Sequence, residues 1–295
     1  MAEHESWQHE DVETNGIRLH CVTQGSGELV VLLHGFPENW YSWRHQIPAL
    51  SRNFKVVAPD MRGYNLSDKP SGIDSYSIAN LTADVTGLIR AFGAERAHVV
   101  GHDWGGAVAW MLAISHPEAV DRLAVLNCPH PAVFAENLLR NPRQLLRSWY
   151  MFFFQLPAVP EMAFSSFHYA ALKRSFRGWA INKEAFTDED IAELVQAAAR
   201  PGALTGGINY YRAMFRNMGL LRERERMPRI QSPTLVIWAE LDRALGKELT
   251  YGMDRYFDHG LQIKYIPDCS HWVQQEQPLL INQYLDEFLS GRVRR

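Results

Sequence analysis

Short runs of apolar, β-branched-rich residues recur along the chain at Leu29 to Leu33, Lys55 to Ala58, His98 to Val100, Leu123 to Leu126, Thr234 to Trp238 and Gln262 to Ile266. Helical stretches such as Asn80 to Phe92 and Ala107 to Ala113 lie between them, and this alternation predicts a mainly parallel sheet. The runs are almost continuously apolar, as strands covered by helices on both faces must be. Ahead of them, Asp11 to Glu13 and Arg18 to Thr23 flank Asn15-Gly16, a pair suited to the tight turn of a hairpin, which predicts an antiparallel edge. The alternation stops after Pro129 and resumes near Ile230. The stretch between is helical in pattern and rich in aromatic residues, with prolines at its entry (Cys128-Pro129-His130-Pro131) and exit (Met227-Pro228, Ser232-Pro233). The expected organisation is therefore an α/β core of residues 1–130 and 228–295 with an inserted helical cap, 131–227. Ligands of open α/β sheets bind beyond the carboxyl ends of the strands, so a lid inserted there would close over the site.

Composition narrows the class of function. A chain of 295 residues with 46% hydrophobic content can bury a large core, and a formal net charge of −3 gives no electrostatic reason to expect nucleic acid or an anionic membrane surface as a partner. Cys21, Cys128 and Cys269 are far apart, in neither a disulfide framework nor a metal-ligand spacing, which suits buried thiols in a reducing compartment. The N-terminal MAEHESWQHEDVE is polar and acidic, unlike a secretory signal, so a cytoplasmic location is expected. No uncharged apolar run approaches the ~18 to 20 residues that span a bilayer, which argues against membrane insertion.

The candidate chemistry starts at Gly101-His102-Asp103-Trp104-Gly105-Gly106, between the run at His98 and the helix at Ala107. Strand, sharp turn and helix flanked by small residues form a nucleophile elbow, with Asp103 where ester hydrolases carry serine. His34-Gly35-Phe36-Pro37 follows the earlier strand, where a loop can aim backbone N–H groups at the nucleophile. The amides of Phe36 and Trp104 are thus the expected oxyanion hole, and the two side chains are expected walls of the substrate pocket. Trp238-Ala239-Glu240-Leu241-Asp242 ends a strand with an acid, and Pro267-Asp268-Cys269-Ser270-His271 follows the last strand with a histidine. Nucleophile, acid, histidine is the chain order of this arrangement. Asp242 competes with Glu240 and Asp268 for the acid. His34 and His102 are expected to stabilise loops, and His116, His130 and His168 to be structural. Asp60 and Asp68 are expected to pair with Arg62 or to cap turns.

HGFPENWYSWRHQIPAL, PDMRGYNLSDKP and GHDWGGAVAW together resemble the α/β-hydrolase-fold epoxide hydrolases of the soluble type, and the resemblance covers the whole chain. It implies an eight-stranded, mostly parallel sheet with a helical cap, and it favours Asp242, two residues after the glutamate, as the acid. Some relatives carry the acid after the strand at Leu123 to Leu126, where this chain has Asn127. In the cap, Trp149 to Gln155 and Ile208 to Arg212 resemble the segments that carry the family's epoxide-polarising tyrosines, which implies Tyr150 and Tyr211. Tyr210 is the alternative to Tyr211, because one helical position turns a side chain by about 100°. The implied substrate is a small apolar epoxide with water, without metal or organic cofactor, and a homodimer formed through the cap is an arrangement the resemblance allows.

These residue types suit the reaction. An epoxide carbon is opened by in-line displacement, and a carboxylate with pKa ~4 is a ready nucleophile at neutral pH. Phenols with pKa ~10 can stabilise the developing alkoxide, and His271 held by Asp242 can activate the water that hydrolyses the ester on Asp103. Haloalkane dehalogenases share Asp followed by Trp at the elbow, but a departing halide needs N–H donors where this chain has Phe36. Fluoroacetate-type dehalogenases place Arg after the nucleophile, and an esterase needs Ser in the elbow. A catalytically silent binding protein, such as a hydrophobic hormone receptor, would have no use for the full set.

Overall fold

The computed structural model describes residues 7–216 and 227–291, so the last part of the expected cap, 217–226, and the first residues of the polar N-terminal stretch lie outside the described residues. The strands are β1 (Gln8–Thr14), β2 (Ile17–Gln24), β3 (Leu29–Leu33), β4 (Lys55–Pro59), β5 (Ala97–His102), β6 (Val120–Leu126), β7 (Thr234–Ala239) and β8 (Leu261–Ile266). They form one eight-stranded sheet in the order β1-β2-β4-β3-β5-β6-β7-β8. Asn15 and Gly16, with φ of 47° and 73°, make the two-residue turn of the β1–β2 hairpin. β2 also runs antiparallel to β4, and every other pair is parallel.

Each central strand is buried on both faces, which is why its sequence shows no alternation. Val31 and Leu33 of β3 pack in one core with α2 (Ile78–Ala91) and α3 (Trp104–Ser115), whereas Val30 and Leu32 pack in the other with α1 (Gln46–Leu50) and the C-terminal helix. Between β6 and β7 the chain leaves the sheet as α4 (Pro131–Arg140), α5 (Pro142–Arg147), α6 (Trp149–Phe153), α7 (Val159–Trp179), α8 (Asp188–Ala198) and α9 (Ala203–Arg216). After β8 come α10 (Val273–Glu276) and α11 (Pro278–Leu289). α7 is broken at Ser166–Tyr169, where Phe167, His168 and Tyr169 all have left-handed φ. Among the described residues no helix is long and apolar enough to cross a membrane.

Of the two roles open to Asp60 and Asp68, pairing with Arg62 is not the one found, and the Leu66 amide donates to Asp60 Oδ2 at 3.4 Å across the turn. Arg62 does not pair with Asp60 or Asp68; it makes a bidentate pair with Asp84 of α2, at 2.7 and 2.6 Å. Asp60 is instead fully buried, accepting from the Trp40 amide at 3.1 Å and Asn65 Nδ2 at 3.0 Å and facing His20 Nδ1 at 2.7 Å. Burying the guanidinium is tolerable only with a carboxylate that matches its fork, and Asp84 projects from the helix packed alongside.

The winding of the sheet locates the site. From β3 the chain passes to β4 on one side and then crosses back to β5 on the other, so β3 and β5 are neighbours whose connections diverge. Crevices of this kind form beyond the carboxyl ends at the point of reversal. Leu33 pairs with Gly101, so residues 34–36 and 102–104 emerge side by side.

Candidate active site

Asp103 occupies the bend between β5 and α3 with φ 49° and ψ −119°, a backbone conformation that L residues rarely adopt. The surrounding glycines make it possible. A Cβ at Gly105 would lie 2.1 Å from the Leu33 carbonyl oxygen, and one at Gly35 would lie 2.4 Å from Asp103 Cβ. The bend lifts the carboxylate between two groups. The Phe36 amide donates to Oδ1 at 2.8 Å, and His271 Nε2 lies 3.6 Å from Oδ2. The Trp104 amide, at the first position of α3, makes no bond to this carboxylate among the described residues.

On its other side, His271 Nδ1 is 2.7 Å from Asp242 Oδ2. Asp242 is held from three directions: the amides of Ala244 and Leu245 donate to Oδ1 at 2.8 and 3.0 Å, and Asn127 Nδ2 donates to Oδ2 at 2.8 Å. Asn127 follows β6, one strand away from the acid. Its Oδ1 in turn accepts from the Ala239 amide at 2.9 Å, tying the end of β6 to the end of β7. Glu240, the competing acid, pairs with Lys247.

Burial alone would raise the pKa of Asp103, but the neighbouring His271, then His102 and the Phe36 amide, hold it below the usual carboxylate value. Asp242 behaves likewise, with His271 as the main opposing group. Burial would lower His271, yet Asp242 and Asp103 on either side push it well above 6.5. The resting site is thus an imidazolium between two carboxylates.

Beneath it lies a buried polar chain that motif reading missed. Glu38, from the loop after β3, faces His102 Nδ1 at 2.8 Å, and His102 Nε2 faces the backbone oxygen of His271 at 2.8 Å. Gln275 Nε2 donates to the same glutamate at 2.7 Å. His102 therefore joins the loop after β3 to the loop that carries His271, the loop-stabilising role expected of it. His34 fits the same expectation: its Nε2 accepts from the Met61 amide at 3.0 Å.

Above the carboxylate is a cavity of about 320 Å³. One face of α3 lines it with Trp104, Ala107, Met111 and Ile114, and α4, α6 and α9 add Phe134, Tyr150, Met151 and Tyr211 among others. Among the described residues, no charged side chain apart from Asp103 lines it. The ring of Tyr211 lies 5.0 Å from Trp104, 5.6 Å from Phe36 and 5.9 Å from Tyr150. Burial, with Asp103 next in effect, pushes both Tyr150 and Tyr211 well above 10, so both phenols keep their protons at neutral pH. Tyr210 also lines the cavity, but its hydroxyl donates to the Arg62 carbonyl at 2.8 Å. That bond occupies it elsewhere. Cys21, Cys128 and Cys269 are free, buried thiols. Among the described residues no cluster of three or more His, Cys, Asp or Glu side chains could hold a metal ion.

Known proteins similar to this chain in sequence and in structure are numerous. The chain matches the family described as alpha/beta hydrolase fold over residues 28–278. It is 43% identical over 284 residues to the AB hydrolase superfamily protein YfhM of Bacillus subtilis, covering 95% of this chain and 97% of that one. It is 38% identical to Epoxide hydrolase 4 of Mus musculus, covering 96% of this chain and 79% of that protein. Among solved structures, the Bacillus megaterium epoxide hydrolase in complex with an inhibitor is 32% identical and superposes with a TM-score of 0.88 over 95% of this chain and 100% of that one. Family match, sequence identity and superposition agree, and the chain belongs to the epoxide hydrolases of the α/β-hydrolase-fold family.

Proposed function

We propose that this protein converts an apolar epoxide to a vicinal diol through a covalent ester on Asp103. The observation that carries the reading is the Asp103 carboxylate, kept ionised under two protonated phenols in an apolar cavity, with an amide on one oxygen and an imidazole facing the other. Because Phe36 N–H already holds Oδ1, Oδ2, which faces His271 at 3.6 Å, attacks the epoxide carbon and breaks its C–O bond. Tyr150 and Tyr211 donate to the oxygen as it becomes an alkoxide, and a proton passed to it completes the hydroxyl. His271, having yielded its own proton to that oxygen by way of the phenols, then takes one from water. The hydroxide attacks the ester carbonyl, and charge collects on Oδ1 opposite the Phe36 amide, a contact worth ~3 kcal/mol in comparable sites. Collapse releases the second hydroxyl of the diol and restores Asp103 ionised and His271 protonated. The helices α4 to α9 act as a lid that excludes bulk water, and the segment 131–227 is the cap of the core formed by 1–130 and 228–295.

Styrene oxide turned over once by excess enzyme in ¹⁸O-water tests the ester directly. The diol of that first turnover is expected to be unlabelled, with label appearing in Asp103, and a labelled first-turnover diol would mean that water opens the ring without the carboxylate. The lid's part is tested separately. Tyr150→Phe and Tyr211→Phe are each expected to slow alkylation by about 10²-fold, the double variant by more, in stopped-flow traces of Trp fluorescence. Unchanged traces in both single variants would leave the phenols without a role.

A further inference from the structure

We infer that the outer face of α4 to α7 docks peripherally on an anionic phospholipid surface. α5 and α6 run almost without interruption, and their burial follows the helical period. Gln144, Ser148 and Met151 are buried, while Leu145, Leu146, Trp149 and Phe152 face out. Leu146 is 74% exposed, Trp149 63% and Phe152 52%, and Leu139 at the end of α4 reaches 71%. Leu156 and Met162 continue the exposed apolar surface toward α7. These helices are therefore apolar on the side turned to solvent as well as on the side turned to the cavity, and extended patches of this kind mark interaction surfaces.

Charge decides the occupant. From Asn137 to Pro160 the chain contains Arg140, Arg143 and Arg147 and not one Asp or Glu, although the whole chain is net −3. Glu161 pairs with Arg212, Glu248 with Arg147, and Glu136 with both Arg140 and Arg255, so the excess positive charge of the face comes from Arg143 and from the second arginine on Glu136. A second copy docked face to face would bring the same arginines against themselves, because a two-fold interface repeats one patch on both sides. Lipid phosphates supply the missing anions, the acyl boundary accepts leucine and phenylalanine, and tryptophan suits the interface between them. Chain-wide charge, which argues against a membrane surface, averages this local excess away.

Co-sedimentation with vesicles tests the proposal. The wild-type protein is expected to bind equimolar phosphatidylglycerol and phosphatidylcholine in low salt, and to bind pure phosphatidylcholine at least about ten-fold more weakly. Arg143→Glu, and separately Leu139→Ser with Leu146→Ser, are each expected to weaken the anionic binding by about ten-fold while hydrolysis of a water-soluble epoxide stays within about two-fold. Absence of binding, equal binding to both vesicle types, or binding untouched by these exposed substitutions overturns the proposal. So does a dimer in sedimentation velocity that Leu146→Ser dissociates, which would give the face to a second copy.

Discussion

Asp103→Asn is expected to cut epoxide turnover by about 10⁴-fold or more while leaving the fold intact. The amide has the shape of the carboxylate and its oxygen can still accept from the Phe36 amide, so the strained bend and its glycine packing keep their partners. What disappears is the negative charge that attacks carbon, since a neutral amide is a poor nucleophile. His271 also loses one of the two anions that flank it. Initial rates with styrene oxide measure the effect, and intact-protein mass must accompany them because hydrolysis of the amide regenerates aspartate. A variant that keeps its amide mass and turns over at the wild-type rate would remove Asp103 from the first step.

His271→Gln is expected to stop the cycle halfway. Carbon–oxygen bond formation needs the ionised Asp103 and the two phenols, and solvent can supply the proton that His271 otherwise yields, so the variant accumulates a protein heavier by one substrate molecule, and steady turnover falls by about 10³- to 10⁴-fold as the ester goes unhydrolysed. Intact mass without an adduct would place the histidine before alkylation instead. The wild type carries a related signature in pH. In the free site burial lowers the His271 pKa, but Asp242 and Asp103 raise it well above 6.5. Once Asp103 is a neutral ester, one of those anions is gone, and the histidine gives up its proton at lower pH. Ester hydrolysis in single-turnover experiments should therefore rise with pH along a limb that lies below the titration of His271 in the free enzyme. Coincident limbs would show that losing the Asp103 charge does not prepare the base.

The sheet was legible because its central strands are buried on both sides, and because Asn15-Gly16 permits few turns other than the one it makes. Asp103 was legible for a related reason: only glycines at 35, 101 and 105 let backbone crowd so near a bend. The polar chain below the site was not. Glu38 and His102 stand 64 residues apart, and nothing in a local pattern distinguishes a glutamate that will be buried from one that will be solvated. Asn127 was dismissed because it cannot be a carboxylate, yet it sits at that strand end and holds the carboxylate supplied by the next one. For Asp60 and Asp68 the sequence left open a pairing with Arg62 or a turn-capping role, and the partner of Arg62 comes instead from a helix that packs beside it. In each case the deciding contact is tertiary. Tyr210 and Tyr211 differ by one position, and what separates them is the Arg62 carbonyl that takes the first hydroxyl.

Trp104, Ala107, Met111 and Ile114 line the cavity from one face of α3, and from first to last they span about 15 Å along the helix axis. The helix that begins at the reactive bend is thereby also a graduated ruler for whatever hangs from the epoxide. Its opposite side is pinned to the sheet, so the ruler stays fixed while its marks can change. Trimming Met111 deepens the far end without disturbing the near one, and a lineage could alter the length of tail it accepts by single substitutions that leave the reacting atoms in place.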